Sequence, residues 1–204
     1  MRISKKKFIY LISPSKLYPQ FYQDLKEVLK TGKVGLFQLR LKKYSFEKRI
    51  IIGKKIKEIC KKNNVKFLVN DDPILSKKLN ADGCHLGQKD MSLIEARKTI
   101  GNKIIGITCH NSIKLAKTAI KEKASYIAFG AFFPTTTKKV KFKATIKILN
   151  KVKKLTKTPI VAIGGINFNN YKKLLLNNAD LLAISGYVWN NKKYKPLKTI
   201  EKLK

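Results

Sequence analysis

Residues 34–42, VGLFQLRLK, decide the fold, because a short apolar run passes there directly into alternating polar and apolar residues. Similar runs recur along the chain and are rich in β-branched and aromatic residues. Lengths of about four to six residues with this composition are typical of strands buried on both faces, as in parallel sheets. Eight strands are predicted: Val34–Leu39 and, around it, Phe8–Ile12, Lys66–Val69, Gly83–Leu86, Ile104–Thr108, Tyr126–Phe129, Ile160–Ile163 and Leu181–Ile184.

The segments between these runs have helical spacing, as in the apolar stripe of Phe21, Leu25 and Leu29. Residues 73–79 predict only a short helix, and residues 169–177 a longer one. Eight strands each followed by a helix, at about 25 residues per unit, predict a single (β/α)8 TIM barrel. A doubly wound open sheet shows the same alternation, but the GxGxxG that opens a dinucleotide-binding half is missing. We therefore expect one catalytic domain spanning residues 1–204.

The formal net charge is +34, which raises the question of nucleic-acid binding. Proteins that read DNA grooves favour arginine, because its planar fork contacts guanine in a bidentate way. Here lysine dominates, beside much isoleucine and asparagine, and all three have AT-rich codons. We interpret the charge as solvated helix faces; steering of anionic substrates and incidental polyanion binding are the alternatives. Only four of the 46 basic residues are arginine: Arg2, Arg40, Arg49 and Arg97.

The cysteines indicate a reducing compartment. Cys60, Cys84 and Cys109 are odd in number and have no CxxC spacing, which argues against a disulfide framework or a zinc knuckle. The apolar run Phe8–Ile12 is too short for a signal-peptide core or a membrane span, so we expect a cytoplasmic protein without a membrane partner. His85 follows Cys84, but successive strand residues face opposite sides, so we expect a histidine that is structural or that hydrogen-bonds to a neighbouring site residue.

In a barrel, the active site is built at the carboxyl ends of the strands. The polar residues that fall at these ends are therefore candidate site residues. Arg40 and Lys42 stand two apart, so both can face the barrel mouth and contact phosphate oxygens. The polar strand ends include Gln38 with Arg40 and Lys42, Asn70 with Asp71, Asp90, Thr108, and Thr135 to Lys138.

Acidic residues number only 12, so Asp71 and Asp90 at neighbouring strand ends are notable. Mg²⁺ prefers one or two carboxylates, several waters and substrate phosphate oxygens, and this pair predicts such a site. Asp72 directly precedes Pro73, which favours a helix cap instead.

Two turns predict a phosphate site on the other strands. Gly164-Gly165 follows the seventh strand, and Ile184-Ser185-Gly186 follows the eighth. The corresponding loops of barrel enzymes often hold a phosphate with backbone N–H groups, and glycine allows the anion to approach closely. Two anionic substrates would fit.

These residues, taken together, resemble the motif series of thiamine-phosphate synthases. The resemblance covers about residues 8–190, and five motifs stand in the expected order. The motifs are Gln38-Leu39-Arg40-Leu41-Lys42, Asn70-Asp71, Ala81 to Gln88 with Asp90, Phe133 to Lys138, and Ala162 to Ile166.

The resemblance implies condensation of hydroxymethylpyrimidine pyrophosphate with hydroxyethylthiazole phosphate to give thiamine phosphate and pyrophosphate. It implies Mg²⁺ on Asp71 and Asp90, and catalytic roles for Arg40, Lys42 and Lys138. Residues implied to hold the pyrimidine pyrophosphate are Gln38, Leu39, Arg40, Leu41, Lys42, Asn70, Thr108 and Lys138. Those implied to hold the thiazole phosphate are Thr135, Thr136, Thr137, Gly165, Ile184 and Ser185.

Two positions depart from the pattern of the family. Thr108 stands where serine is usual, and the hydroxyl is kept. Ala131 replaces a frequent proline, from which we expect a looser loop before the threonines.

Two other functions compete with this one. A thiazole tautomerase-like paralogue on the same barrel would need no pyrophosphate site, so the joint presence of Arg40, Lys42, Asp71, Asp90 and Lys138 speaks against it. A basic nucleic-acid-binding protein is disfavoured by the scarcity of arginine. The sequence leaves a homo-oligomer open.

Overall fold

The structure, a computed structural model, describes residues 7–135 and 141–203. Eight parallel strands close into a barrel in sequence order, and the first strand pairs with the last. The predicted (β/α)8 architecture is confirmed. The strands are β1 (Ile9–Ile12), β2 (Val34–Leu39), β3 (Lys66–Asn70), β4 (Gly83–Leu86), β5 (Ile104–His110), β6 (Tyr126–Phe129), β7 (Ile160–Ile163) and β8 (Leu181–Ile184).

Helices follow each strand, and two follow the last one. The predicted helix at 169–177 is shorter than expected, because the side chains of Asn167 and Asn170 bond to nearby backbone N–H groups and form a turn ahead of it. The helices are α1 (Phe21–Lys30), α2 (Phe46–Lys62), α3 (Pro73–Lys78), α4 (Leu93–Ile100), α5 (Ile113–Lys121), α6 (Ile146–Lys153), α7 (Tyr171–Leu175), α8 (Gly186–Trp189) and α9 (Pro196–Lys202). The short α8 was not predicted, since four residues carry no apolar stripe.

Side chains of alternate strand residues build two apolar layers. On β1, Ile9 and Leu11 face outward and pack under the helices, whereas Tyr10 and Ile12 face the barrel interior. Full burial of each large apolar side chain of the outer layer stabilises the fold by roughly 1.5–3 kcal/mol. The inner layer is smaller, and it forms the floor beneath the strand ends.

A glycine on β5 makes room for a large ring in the barrel interior. A Cβ on Gly106 would lie 1.9 Å from Cζ of Tyr126, so the phenol ring takes the space of a side chain. Tyr126 is fully buried, at 0 % exposure. The pairing of Gly106 with Tyr126 in adjacent strands thus positions a hydroxyl group under the site.

Much of the positive charge lies on solvated helix faces, as the sequence indicates. On α2, for example, Lys54, Lys55, Lys61 and Lys62 are all exposed. Across residues 7–135 and 141–203, no helix is both long enough and apolar enough to cross a membrane.

Candidate active site

The carboxyl ends of the strands open into one large cavity with a volume of about 1360 Å³. Sites for one small ligand are commonly about 300–1000 Å³, so this cavity has room for two small substrates. Most of the predicted site residues line it: Gln38, Arg40, Lys42, Asn70, Asp71, Asp90, Thr108, Thr135, Gly165, Ile184 and Ser185.

Two predicted substrate-binding side chains do not reach this cavity. Leu39 and Leu41 are each 2 % exposed and pack in the outer apolar layer, because the chain alternates direction here. Their side chains therefore contribute to barrel packing, while their neighbours Gln38 and Arg40 line the cavity. Three further predicted residues, Thr136, Thr137 and Lys138, lie outside the described residues.

The two predicted metal ligands lie together at the cavity mouth. Asp71 follows β3 with a left-handed backbone (φ 61°), and its N–H donates to the His85 carbonyl on β4 at 2.8 Å. This conformation is uncommon outside glycine, although aspartate tolerates it better than most residues. Oδ2 of Asp90 accepts from the Gly87 N–H at 2.7 Å, and Lys42 Nζ pairs with Oδ2 of Asp71 at 2.5 Å.

Asp71 and Asp90 act on each other, and the pKa values of their two carboxyl groups shift in opposite directions. Burial raises the pKa of Asp90 above its ordinary value, with a further contribution from Asp71, although the Gly87 N–H acts in the opposite direction. Burial also acts to raise the pKa of Asp71, but the bonds with Lys42 and Asp90 outweigh it and the pKa is lowered. Of the two carboxyl groups, Asp90 is therefore the one that takes up a proton first as the pH falls.

This donor set fits Mg²⁺. Within the described part of the chain, no group of three His, Cys, Asp or Glu side chains is placed to hold a metal. A zinc site needs three or four such ligands, whereas Mg²⁺ takes one or two carboxylates and completes its shell with water and phosphate oxygens. The carboxylate pair already attracts positive charge, since Lys42 Nζ pairs with Asp71. Asp71 and Asp90 would be the protein ligands.

The neighbouring Asp72 has the capping role that the sequence indicates. Its Oδ1 accepts from the Leu75 N–H at 2.8 Å at the start of α3, and its Oδ2 pairs with Arg49 Nη1 at 3.1 Å. Asp72 does not line the large cavity.

Four basic side chains line the large cavity within the described residues: Arg40, Lys42, Lys89 and Lys141. The first two were predicted from the strand-end pattern. Lys89 and Lys141 were not among the predicted site residues, because lysine is so abundant in this chain that its position alone carries little information. Together they favour a polyanionic ligand at this mouth.

The cavity floor holds a chain of five hydrogen-bonded polar side chains. Gln38 Nε2 donates to the Tyr10 hydroxyl at 2.6 Å, and that hydroxyl lies 2.8 Å from the Tyr126 hydroxyl. The Tyr126 hydroxyl lies 2.9 Å from Nδ1 of His85, whose Nε2 lies 2.8 Å from Oγ1 of Thr108. Both ring nitrogens of His85 therefore have hydrogen-bond partners, which agrees with the expected structural histidine. Both tyrosines were missed, because within apolar runs they look like core residues.

The glycine turn after β7 is held against the loop after β6. Gly164 and Gly165 have φ values of 105° and 64°, and a Cβ on Gly165 would lie 2.3 Å from the Pro134 carbonyl oxygen. The Gly165 carbonyl accepts from Asn170 Nδ2 at 3.0 Å, which fixes the orientation of the turn. Glycine is required here for the close approach of two backbone segments as well as for the left-handed conformation.

Ala131 does not loosen the loop after β6 in the way expected from the sequence. Its N–H donates to the Phe142 carbonyl at 3.0 Å, and its carbonyl accepts from the Ala144 N–H at 2.9 Å. Proline has no N–H and could not make the first of these bonds. The Phe142 ring stacks on His110, with ring centroids 4.2 Å apart, at the cavity rim.

The fold and this site define a class of protein: a (β/α)8-barrel enzyme whose strand-end cavity combines a carboxylate pair, several cations and a glycine turn, a set suited to phosphorylated small molecules. Comparison with known proteins makes the assignment specific. The chain belongs to the thiamine monophosphate synthase family, whose profile matches residues 9–188.

Relatives within this family are similar over nearly the whole chain. The thiamine-phosphate synthase of Pelagibacter ubique (strain HTCC1062) is 66% identical over 200 residues, which cover 98% of this chain and 97% of the relative. That of Rhodospirillum centenum (strain ATCC 51521 / SW) is 40% identical over 90% of this chain and 89% of its own. The thiamine phosphate pyrophosphorylase structure from Pyrococcus furiosus superimposes with a TM-score of 0.86 at 29% identity, covering 98% and 95% of the two chains. The chain is therefore an enzyme, and a transferase.

Proposed function

We propose that this enzyme joins hydroxymethylpyrimidine pyrophosphate to hydroxyethylthiazole phosphate, forming thiamine phosphate and releasing pyrophosphate. One observation carries the proposal: a single cavity is lined on one side by Asp71, Asp90 and the nearby cations, and on the other by the glycine turn. In a closed barrel of eight strands, β3 lies opposite β7 and β4 lies opposite β8. Two phosphorylated substrates can therefore be held by opposite walls, with their reacting ends between them.

The pyrophosphate of the first substrate lies at the wall formed by the ends of β2 to β4 in this proposal. Arg40 and Lys42 supply fixed positive charge. This charge stabilises the negative charge that grows on the pyrophosphate as the bond between the methylene carbon and the pyrophosphate oxygen breaks. When bound by Asp71 and Asp90, Mg²⁺ adds Lewis-acid stabilisation of the same leaving group. The resemblance to the family implies the same catalytic role for Lys138. The aminopyrimidine ring spreads the positive charge that remains on the methylene carbon, which favours a loose, dissociative path.

The thiazole phosphate lies at the opposite wall, against Gly165, Ile184, Ser185 and Thr135. Backbone N–H groups of such turns bind phosphate without a charged side chain. The thiazole nitrogen then faces the methylene carbon and forms the new carbon–nitrogen bond, so that catalysis consists of positioning and charge stabilisation. No protein nucleophile takes part.

The test is incubation of the purified protein with both phosphorylated substrates and Mg²⁺. We expect thiamine phosphate and pyrophosphate in equal amounts, and neither product when one substrate is omitted. Release of pyrophosphate without the thiazole phosphate would show a hydrolase instead, and absence of thiamine phosphate would refute the proposed function.

A further inference from the structure

The hydrogen-bonded chain in the cavity floor connects two predicted substrate-binding residues, Gln38 and Thr108. The connecting groups are Tyr10, Tyr126 and His85, which are 1 %, 0 % and 8 % exposed. Its four contacts measure 2.6, 2.8, 2.9 and 2.8 Å from the glutamine to the threonine. The path is thus continuous and almost entirely shielded from water.

Each connecting group has one hydrogen to give and one acceptor to offer along this path. Burial raises the pKa of Tyr10 and of Tyr126 far above the ordinary value, so both phenols keep their protons. A neutral imidazole likewise carries one N–H and one acceptor nitrogen. A hydroxyl that accepted at both contacts would leave its own hydrogen buried without a partner, which is unfavourable. The direction of one bond therefore determines the direction of all the others.

In this structure the direction begins with Gln38, whose Nε2 donates to Tyr10. Tyr10 then donates to Tyr126, Tyr126 donates to Nδ1 of His85, and the Nε2–H of His85 donates to Thr108. Oγ1 of Thr108 is thereby engaged as an acceptor, so its own hydrogen is available to the cavity. At the other end, the amide oxygen of Gln38 is left to accept from a ligand.

We infer that these five side chains form a polarity relay, in which a ligand N–H bound by Gln38 orients Thr108 as a hydrogen-bond donor to the anionic part of the same ligand. The inference rests on the proposed function for its ligand. An aminopyrimidine pyrophosphate offers an amine hydrogen for Gln38 and phosphate oxygens for Thr108. If the ligand offered Gln38 a hydrogen-bond acceptor in place of an amine hydrogen, every hydrogen bond of the chain would reverse. Thr108 would then donate its hydrogen to His85 and not to the ligand. Tyr10, Tyr126 and His85 are then positioning residues that select for an amino group.

The tautomer of His85 reports the direction of the relay. The chain has two histidines, so ¹⁵N-histidine NMR of the full protein is readily interpreted, and His110→Gln assigns the signals. We expect the Nε2–H tautomer of His85. Gln38→Met removes the donor that sets the direction, and both tautomers of His85 should then be populated, although residue 38 does not touch the ring. Tyr44→Phe is the matched control, because its hydroxyl accepts from the Leu17 N–H and Tyr44 does not line the large cavity.

A kinetic measurement adds the link to the ligand. Tyr10→Phe interrupts the relay with little change of shape, so KM for the pyrimidine pyrophosphate should rise about tenfold while KM for the thiazole phosphate stays unchanged. Tyr44→Phe should leave both values unchanged. An Nδ1–H tautomer in the unaltered protein, or the same His85 spectrum before and after Gln38→Met, would overturn the relay. Failure to form thiamine phosphate would refute the proposed function alone, since the NMR result decides the relay independently.

Discussion

Asp71 and Asp90 follow two neighbouring strands, and each carboxyl group shifts the pKa of the other, downward for Asp71 and upward for Asp90. Because the pKa of Asp90 is raised, its carboxyl group keeps a proton to higher pH than an isolated carboxyl group does. Mg²⁺ must displace this proton in order to bind both groups. The affinity for Mg²⁺ should therefore fall as the pH is lowered through the raised pKa of Asp90. Asp71, with its lowered pKa, stays ionised over the same range.

Calorimetric titration with Mg²⁺ at several pH values checks this expectation. Asp90→Asn should bind Mg²⁺ more weakly, and its affinity should change little over the pH range in which the unaltered protein loses affinity. An unaltered protein whose Mg²⁺ affinity is independent of pH there would exclude competition between Mg²⁺ and a proton on Asp90.

Gly165→Ala should act by displacing the loop after β6, because its Cβ would lie 2.3 Å from the Pro134 carbonyl oxygen. We expect a raised KM for the thiazole phosphate, with a much smaller change for the pyrimidine substrate. The matched control is Gly101→Ala: φ is 63° at this residue and no atom lies within 4 Å of the added Cβ. It should cost about 1–3 kcal/mol of stability without a kinetic effect. Equal kinetics in the two variants would contradict this role of the turn.

Thr108→Val removes the hydroxyl that bonds to His85 and keeps the shape of the side chain. A hydrogen bond to a charged group is worth about 1.5–3 kcal/mol, so KM for the pyrimidine pyrophosphate should rise by roughly ten- to a hundredfold. Thr108→Ser retains the hydroxyl and should stay close to the unaltered enzyme. A comparable loss in the serine variant would indicate that the methyl group, and not the hydroxyl, matters.

Replacement of Lys54, Lys55, Lys61 and Lys62 by glutamine tests whether the surface charge takes part in catalysis. These side chains are exposed on α2, so turnover should be unchanged. Any effect should appear in kcat/KM at low salt and fade as salt is added, because screening is strong beyond roughly 10 Å at 0.1 M. Turnover at several salt concentrations is the measurement, and a loss that persists at high salt would assign a functional role to this face.

The periodicity of the sequence predicted the strands well, because buried parallel strands are short, apolar and bounded by polar residues. The bounds of β2, β4, β6, β7 and β8 agree with the prediction at both ends. The helix ahead of β8 was predicted too long, since the asparagine side chains that delay its start compete with helical bonding in a way that periodicity does not reveal.

The sequence predicted the charged residues of the site but not its buried tyrosines, and both outcomes have a physical reason. Charged residues at strand ends cannot be core residues, so Arg40, Asp71 and Asp90 stood out. Tyr10 and Tyr126 have the composition of core residues and are indeed buried, and only the closed barrel shows that their hydroxyls meet. Leu39 was predicted to bind substrate because the motif was taken as one continuous run of site residues. Successive residues of a strand face opposite sides, so the side chain of Leu39 points outward.

Turnover as a function of Mg²⁺ concentration, in Asp71→Asn, Asp90→Asn and Asp72→Asn, tests the central claim most directly. Asp72 is the matched control, because it adjoins Asp71 in sequence but caps α3, and asparagine is an equally good cap. We expect Asp72→Asn to retain near-normal turnover at every Mg²⁺ concentration. Asp71→Asn and Asp90→Asn should each lose at least about tenfold at limiting Mg²⁺, corresponding to about 1.4 kcal/mol of lost transition-state stabilisation. Turnover in these two variants equal to that of Asp72→Asn at limiting Mg²⁺ would contradict a magnesium-assisted condensation at this cavity.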